Sequence, residues 1–160
     1  MEYAELMRSL EVRFGLEGFA PDADGRYRIC IDDNLVVFTE LPQSGLIDTV
    51  AEVCELPPEG GELVYKLLLT AMAPGGGAEA FTFFISSEDS RVYLRRTDVL
   101  ARLDGDSFHK ALEVFANTLA EWRGVIGDYR QALPSIRDAM ERQSAEDRAF
   151  AMNADGFLRA

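Results

Sequence analysis

Apolar side chains recur at helical spacing at the start of the chain and again after residue 105. Near the start they follow the i, i+3, i+4, i+7 spacing that lines one face of an α-helix: Tyr3, Leu6, Met7, Leu10 and Phe14. Gly15 suits the C-terminal end of this helix. The later series steps by three and four residues: Phe108, Leu112, Phe115, Leu119, Trp122, Ile126 and Tyr129. The pattern predicts amphipathic helices at 3–14 and 108–129, the second capped by Asp106 or Ser107.

Between these helices, short β-branched and aromatic runs predict five strands. Residues 26–41 hold two such runs around the turn-forming segment 32–34, which predicts a hairpin. Residues 45–56 form a third strand, which the prolines at 57–58 end because proline cannot donate to a ladder. A second hairpin is predicted at 80–100, with an acidic turn between its strands.

The stretch ELVYKLLLTAMA, residues 62–73, predicts a further helix that is apolar on more than one face. Tyr65 and Leu69 add to its main apolar stripe, so the helix needs cover on more than one side. The stretch PGGGAEA at 74–80 is typical of a flexible loop. The element order αβββαββα predicts an α+β fold with an antiparallel twisted sheet and helices.

The length of 160 residues fits one domain with an added tail. We expect residues 1–133 to form the α+β domain. Beyond Pro134 the composition turns to Arg, Glu, Asp, Gln and Ala, with too few large apolar residues to offset the entropy lost on ordering. Residues 134–160 are therefore expected to form a C-terminal tail helix that is marginal, or to be disordered.

Charge and composition narrow the range of partners. The 28 acidic and 16 basic residues give a formal net charge of −12, which repels phosphate backbones, so nucleic acid is not an expected partner. The first turns carry charged residues and no uninterrupted apolar stretch, so neither a signal peptide nor membrane insertion is expected. The expected location is the cytoplasm. There Cys30 and Cys54 would be buried, reduced thiols, a disulfide being less favoured.

No catalytic, metal or cofactor site is predicted. The single histidine, His109, has no Cys or Ser nucleophile nearby in sequence and is expected to be solvated in the first turn of its helix. The cysteines form no CxxC pair, which argues against zinc. Asp22 and Asp24 resemble the start of a calcium loop without its remaining ligands, and the glycines at 75–77 lack the context of a phosphate-binding loop.

Two kinds of charged cluster admit more than one interpretation. The acidic pairs at 32–33 and 88–89 are expected to form turns rather than acid–base couples. A basic cluster accompanies the second hairpin: Arg91, Arg95, Arg96 and Arg102. It either clamps an acidic partner or forms a solvated strand face that protects an edge from aggregation, and the second interpretation is favoured.

Surplus apolar surface remains after this survey. An antiparallel sheet in a small α+β domain normally leaves one face polar, yet Leu35 and Val37 are apolar opposite Val36 and Phe38. The helix at 62–73 is likewise apolar on more than one side. Such surface predicts association with other proteins.

Several stretches in this order resemble the class I type III secretion chaperones, the family of the Tir chaperone, over residues 3–129. They are the first helix ending in FGLEGF, the hairpin ICIDDNLVVFTEL, the helix LVYKLLLTAMAP, the passage VYLRRTDVLARLDGDSF, and FANTLAEWRGVIGDY with its tryptophan. The resemblance implies a cytoplasmic bacterial protein that is homodimeric, non-enzymatic and independent of ATP and cofactors. It also implies a secreted effector as partner, whose N-terminal segment is kept extended.

On this interpretation the first helix and the first strands would offer the client surface, through Leu6, Leu10, Ile29, Ile31, Val36 and Phe38. The helix at 62–73 and the second hairpin would form the dimer interface, through Leu63, Leu67, Leu68, Met72, Val92, Tyr93 and Leu94. An adaptor or regulatory protein-interaction module of the same fold is the alternative. A small-molecule enzyme or ligand-binding domain has the least support, because the usual nucleophile–base and metal sets are missing from the sequence.

Overall fold

A computed structural model describes residues 2–57, 60–72 and 81–157, with side chains through residue 146. The elements are, in chain order, α1 (Tyr3–Phe14), β1 (Tyr27–Ile31), β2 (Asn34–Leu41), β3 (Leu46–Glu55), α2 (Gly61–Ala71), β4 (Thr82–Ile85), β5 (Arg91–Val99), a 3-10 helix (Leu100–Arg102) and α3 (Gly105–Phe157). This order confirms the predicted α+β fold and its αβββαββα arrangement. The predicted loop at 74–80 and the second proline of the pair at 57–58 lie outside the described residues.

The five strands form one antiparallel sheet in the order β1-β2-β3-β5-β4. β1 and β4 are therefore outermost, and in the described part of the chain each has one edge without a neighbouring strand. The unpaired backbone groups of such an edge can pair with a strand from another chain. The fold thus offers two places for strand addition.

The inner face of the sheet forms the core together with α1 and the first half of α3. Its buried side chains are Ile29, Val36, Phe38, Ile47, Thr49, Ala51, Val53, Phe83, Val92 and Leu94. The Tyr3 hydroxyl on α1 donates to the Phe38 carbonyl at 2.9 Å, and the ring centroids of Phe38 and Phe108 lie 5.7 Å apart. Burial also raises the pKa of Tyr3. One phenylalanine on β2 therefore contacts both covering helices.

The β1–β2 connection is a tight turn built from two aspartates. Ile31 pairs with Asn34, and both central residues have positive φ, 47° at Asp32 and 63° at Asp33. This is the conformation of the I′ turns that match the twist of a hairpin, and aspartate tolerates it better than most residues do. The Asn34 side-chain amide donates to the Asp32 carbonyl at 2.9 Å. The predicted hairpin and the turn role of this acidic pair are confirmed.

α3 begins with a reciprocal cap. The Ser107 N–H donates to Asp104 Oδ1 at 2.7 Å, and the Asp104 N–H donates to Ser107 Oγ at 2.9 Å. Hydrogen bonds from Ser107 hold the pKa of Asp104 below its usual range. The N-cap is thus Asp104, and the prediction of Asp106 or Ser107 is wrong, because α3 starts at Gly105 and Ser107 occupies the third helical position.

Arg123 connects α3 to the sheet. Its Nε donates to the Val53 carbonyl at 3.1 Å, and its guanidinium also donates to the side-chain oxygen of Asn34. Val53 lies where the pairing of β3 with β5 shifts register, between Glu52 and Cys54. A single side chain of α3 therefore bonds both to the residue that follows the β1–β2 turn and to the residue at the register shift of β3.

The chain divides into two compact units, Met1–Gly124 and Val125–Ala160. The described residues of the second unit, 125–157, belong to α3, and they include Pro134 inside the helix. Ile126 and Leu133 are buried, whereas Met140 is 55% exposed. Helical backbone continues to Phe157, so the predicted tail helix is continuous with the helix predicted from Phe108 to Tyr129. The predicted domain boundary at 133/134 stays a prediction.

We expect the two faces of β2 to differ sharply in their contribution to stability. Phe38→Ala should lower the free energy of unfolding by about 3–5 kcal/mol, because it opens a cavity between both helices and the sheet. Leu35→Ala, on the opposite face and 52% exposed, should change it by less than about 0.5 kcal/mol. Urea denaturation of the two variants measures this. Equal losses would contradict the assignment of faces.

Removal of the α3 cap should lower stability in a pH-dependent way. Because the folded-state pKa of Asp104 is depressed, its stabilisation is present above the unfolded-state pKa of about 3.9 and is lost as pH falls through the folded-state value. Asp104→Ala should therefore lower the melting temperature at neutral pH, and the gap from the wild type should close in strong acid. Asp128→Ala, exposed in α3, is the control. A gap that is constant with pH would contradict the cap.

Candidate protein-interaction surfaces

An apolar groove lies between α2 and β4. Its lining residues, Tyr65, Leu68, Leu69, Met72, Phe83, Phe84 and Ile85, enclose about 440 Å³. We call this the α2–β4 groove. Leu69 is 66% exposed and Ile85 41% exposed, so large apolar side chains reach the surface here. The second apolar side of α2, which the sequence showed at Tyr65 and Leu69, is thus the side that faces this groove.

The α2–β4 groove continues around the edge strand. The Phe83 N–H donates to the sulfur of Met72 at 3.4 Å, which joins α2 to β4. On the other face of the sheet, Phe84 stacks on Tyr93 with ring centroids 5.3 Å apart, and the Arg95 guanidinium carbon lies 5.7 Å from the centre of the Phe84 ring. β4 therefore carries apolar side chains on both faces beside its free edge.

The residues predicted for a dimer interface fall into three places. Leu68 and Met72 line the α2–β4 groove, while Leu63 and Leu67 are half-buried on α2. Tyr93 lies on the outer face of the sheet. Val92 and Leu94 are fully buried on the inner face, where their first role is in the protomer core. Their contact with a second copy stays a prediction. The dimer interface predicted from the sequence did not include Leu69, Phe83, Phe84 and Ile85, although all are apolar residues of the two elements named for it.

A second groove lies at the other end of the sheet order, beside β1. It is lined by Phe14 at the end of α1, by Ile31 and Asp32 at the end of β1, and by residues of α3: His109, Leu112, Glu113, Ala116 and Asn117. We call it the α1–α3 groove, and its volume is about 370 Å³. Phe14 is 44% exposed. This groove therefore combines an apolar floor with the free edge of β1.

His109 is held inside the α1–α3 groove. Its Nε2 lies 3.1 Å from Glu113 Oε1, and its ring centroid is 5.2 Å from that of Phe14. The side chain is only 13% exposed, and its buried Nδ1 has no hydrogen-bond partner among the described residues. The prediction of a solvated histidine is wrong, because Phe14 at the end of α1 covers the ring.

The residues predicted to bind a client are mostly buried within the protomer. Ile31 is half-buried and lines the α1–α3 groove. The other five are 7% exposed or less and belong to the core: Leu6, Leu10, Ile29, Val36 and Phe38. Their contact with a client stays a prediction. Because they are buried, they pack in the core under the surface that a client would contact. The neighbouring Phe14 is the exposed member of the α1 stripe.

Arginine and carboxylate side chains on the outer face of the sheet form ion pairs with one another. Arg91 donates to Glu52 Oε2 at 2.7 Å, and Arg95 lies 3.9 Å from Asp48. The hydrogen bond from Arg91 to Glu52 raises the pKa of Arg91. On the inner-face side of β5, Arg96 forms a further pair with Asp98, at 2.8 Å. These pairs favour the solvated strand face over a clamp for an acidic partner.

Cys30 is exposed on the outer face of the sheet, so the prediction that it is buried is wrong.

The acidic residues of the remaining loops accept hydrogen bonds from nearby groups of the chain. Asp22 Oδ1 accepts from the N–H groups of Asp24 and Arg26, and these bonds lower the pKa of Asp22. Asp89 accepts from the Tyr93 hydroxyl at 2.8 Å, which lowers the pKa of Asp89 and raises that of Tyr93. The described residues contain no group of three or more His, Cys, Asp or Glu side chains placed to hold a metal ion.

Within the described residues, each sheet edge without a neighbouring strand lies beside an apolar groove, an arrangement suited to binding other polypeptides. The sequence model of the Tir chaperone protein (CesT) family matches residues 5–123. This match spans most of the chain, and the protein belongs to that family. No curated protein sequence matches the chain. Among the described helices, none has both the length and the hydropathy required to cross a bilayer.

Solved structures share this fold at low sequence identity. The ExsC-ExsE complex matches with a TM-score of 0.64 and 18% identity, over 74% of this chain and 89% of that one. The HopA1-SchA chaperone-effector complex gives 0.62 and 8%, over 76% and 93%. The Yersinia pestis type III secretion chaperone SycH, in complex with a fragment of YscM2, gives 0.57 and 13%, over 76% and 99%. These structures match most of their own length but only about three quarters of this chain.

Proposed function

We propose that this protein is a type III secretion chaperone that binds the N-terminal segment of an effector and keeps it extended and competent for secretion. Membership of the Tir chaperone family over residues 5–123 carries this proposal. The similar HopA1-SchA structure is itself a chaperone-effector complex, which supports it. The protein would act in the bacterial cytoplasm and would perform no chemical step.

The α1–α3 groove fits the physical requirement of this task. An extended segment can pair with the free edge of β1 and place alternate side chains into the apolar floor formed by Phe14, Ile31 and Leu112. Burial of one large apolar side chain contributes about 1.5–3 kcal/mol. A few such contacts give useful affinity even after several kcal/mol are lost in ordering the segment. No catalytic group is needed.

We also propose that two copies associate through the α2–β4 groove. The exposed Leu69 and Ile85 and the free edge of β4 lie together there, so a twofold arrangement could use the same patch twice. A second copy would cover apolar surface that the chain itself leaves open. The two grooves adjoin opposite outer strands of the sheet, so association at one leaves the other edge available.

The contacts of His109 argue against an enzyme. The single histidine of the chain pairs with the carboxylate of Glu113, and among the described residues it has no serine or cysteine partner. Catalysis by a nucleophile–base pair would require such a neighbour. The proposal is therefore a binding function.

Leu69→Arg should convert the wild-type dimer to monomers. A charge placed at the centre of an apolar interface is desolvated without a partner, which should weaken association at least about a hundredfold. Analytical ultracentrifugation at micromolar concentration measures this. Val12→Arg is the control, since Val12 is 78% exposed on α1 and lies outside the α2–β4 groove. A wild type that sediments as a monomer would refute the dimer.

Phe14→Ala should reduce the capture of client by about tenfold, because the groove loses its largest exposed apolar side chain. The measurement is copurification of the tagged chain from its native bacterium, with mass spectrometry of the bound protein after limited proteolysis. We expect a protected N-terminal segment of a secreted effector. Val12→Ala, on the same helix, is the control. Capture of a non-secreted regulator instead would favour the adaptor alternative.

A further inference from the structure

The α1–α3 groove is acidic at its rim and apolar on its floor. Asp32 and Glu113 are both exposed and both line the groove, while the lining contains no Lys or Arg side chain. Among the described residues, neither carboxylate forms an ion pair with a Lys or Arg. Glu113 pairs with the imidazole of His109, and its side chain is 62% exposed.

This rim differs from several acidic positions of the sheet that have an arginine partner. On the outer face Asp48 and Glu52 each have an arginine within 4 Å, and so does Asp98 on the inner-face side of β5. Asp22 likewise pairs with Arg28 at 2.7 Å. Those carboxylates are already neutralised within the chain. The two at the groove have no Lys or Arg partner among the described residues.

We propose that Asp32 and Glu113 select a client segment in which a Lys or Arg stands beside the apolar residue that enters the α1–α3 groove. This inference rests on the proposed function, and it names the chemistry of the segment that the groove takes. The apolar floor accepts the large side chain, and the two carboxylates of the groove lining accept the neighbouring cation. The Nε2 of His109, 3.1 Å from Oε1, orients the Glu113 carboxylate at the rim.

Local structure keeps both carboxylates in position. Asp32 lies at positive φ in the tight β1–β2 turn, where the Asn34 amide also bonds to its carbonyl. Glu113 stands one helical turn after His109 on α3. The floor between them is fixed by Leu112, which is buried, and by Ile31 on the edge strand. An extended chain paired with β1 would pass directly beside the Asp32 turn.

The test uses the full-length protein and an array of overlapping peptides that cover the N-terminal regions of proteins secreted by the type III apparatus of its native bacterium. Bound peptides should contain an apolar residue next to Lys or Arg. Replacement of that Lys or Arg by Gln should weaken binding about threefold, and more at low than at high salt, as expected for exposed ion pairs. This arm needs no protein variant.

Matched variants locate the effect. Asp32→Asn and Glu113→Gln should each weaken the basic peptides about threefold, and together about tenfold, while binding of their Gln-substituted versions stays unchanged. Asn tolerates the positive φ of Asp32, so the turn is kept. Asp33→Asn, in the same turn, and Glu121→Gln, exposed on the same helix, change the net charge equally but lie outside the groove lining.

The outcomes separate this inference from the function on which it rests. If the wild type binds peptides without a preference for Lys or Arg, or if Asp33→Asn and Glu121→Gln weaken binding as much as the groove variants, the charge selection is overturned and the chaperone function stands. If the wild type binds no peptide of the array, the proposed function fails and the selection falls with it.

Discussion

The structure depends first on the packing of α1 and α3 against one face of the five-stranded sheet. Phe38 is at the centre of this contact, bonded through its carbonyl to Tyr3 and packed by its ring against Phe108. Within the part of the chain that the structure describes, this packing covers one face and leaves one edge of β1 and one edge of β4 without a neighbouring strand. The places where the protein can meet other chains are therefore a direct consequence of how its core is closed.

The helix α2 contributes apolar surface that the protomer does not bury. Val64, Leu68 and Ala71 face inward, whereas Leu69 is 66% exposed beside the edge strand β4. Apolar surface next to unpaired backbone is well suited to another polypeptide, because one partner can gain both side-chain burial and strand pairing. The same combination recurs at β1, with Phe14 in place of Leu69.

The outer face of the sheet and the α1–α3 groove differ in how their charged side chains are paired. On the outer face of the sheet, Arg91 pairs with Glu52 and Arg95 pairs with Asp48. Arg123 donates hydrogen bonds to the Val53 carbonyl and to the Asn34 side chain. Ion pairs of this exposed kind add little stability, but they leave little free charge on that face. At the α1–α3 groove two carboxylates have no cationic neighbour among the described residues. The excess of negative charge, −12 in total, is therefore less paired at this groove than on the outer face of the sheet.

The sequence by itself determined the elements, their order and the family. Periodicity located α1 and the strands, and the two aspartates at 32–33 marked their turn, because these features depend on local spacing and backbone preference. Only the tertiary structure decided which apolar residues face outward. Leu6 and Phe14 share one helical stripe, yet one is fully buried and the other 44% exposed, because α3 and the sheet cover only part of α1. The same cover placed His109 inside a groove, which no spacing along the chain could reveal.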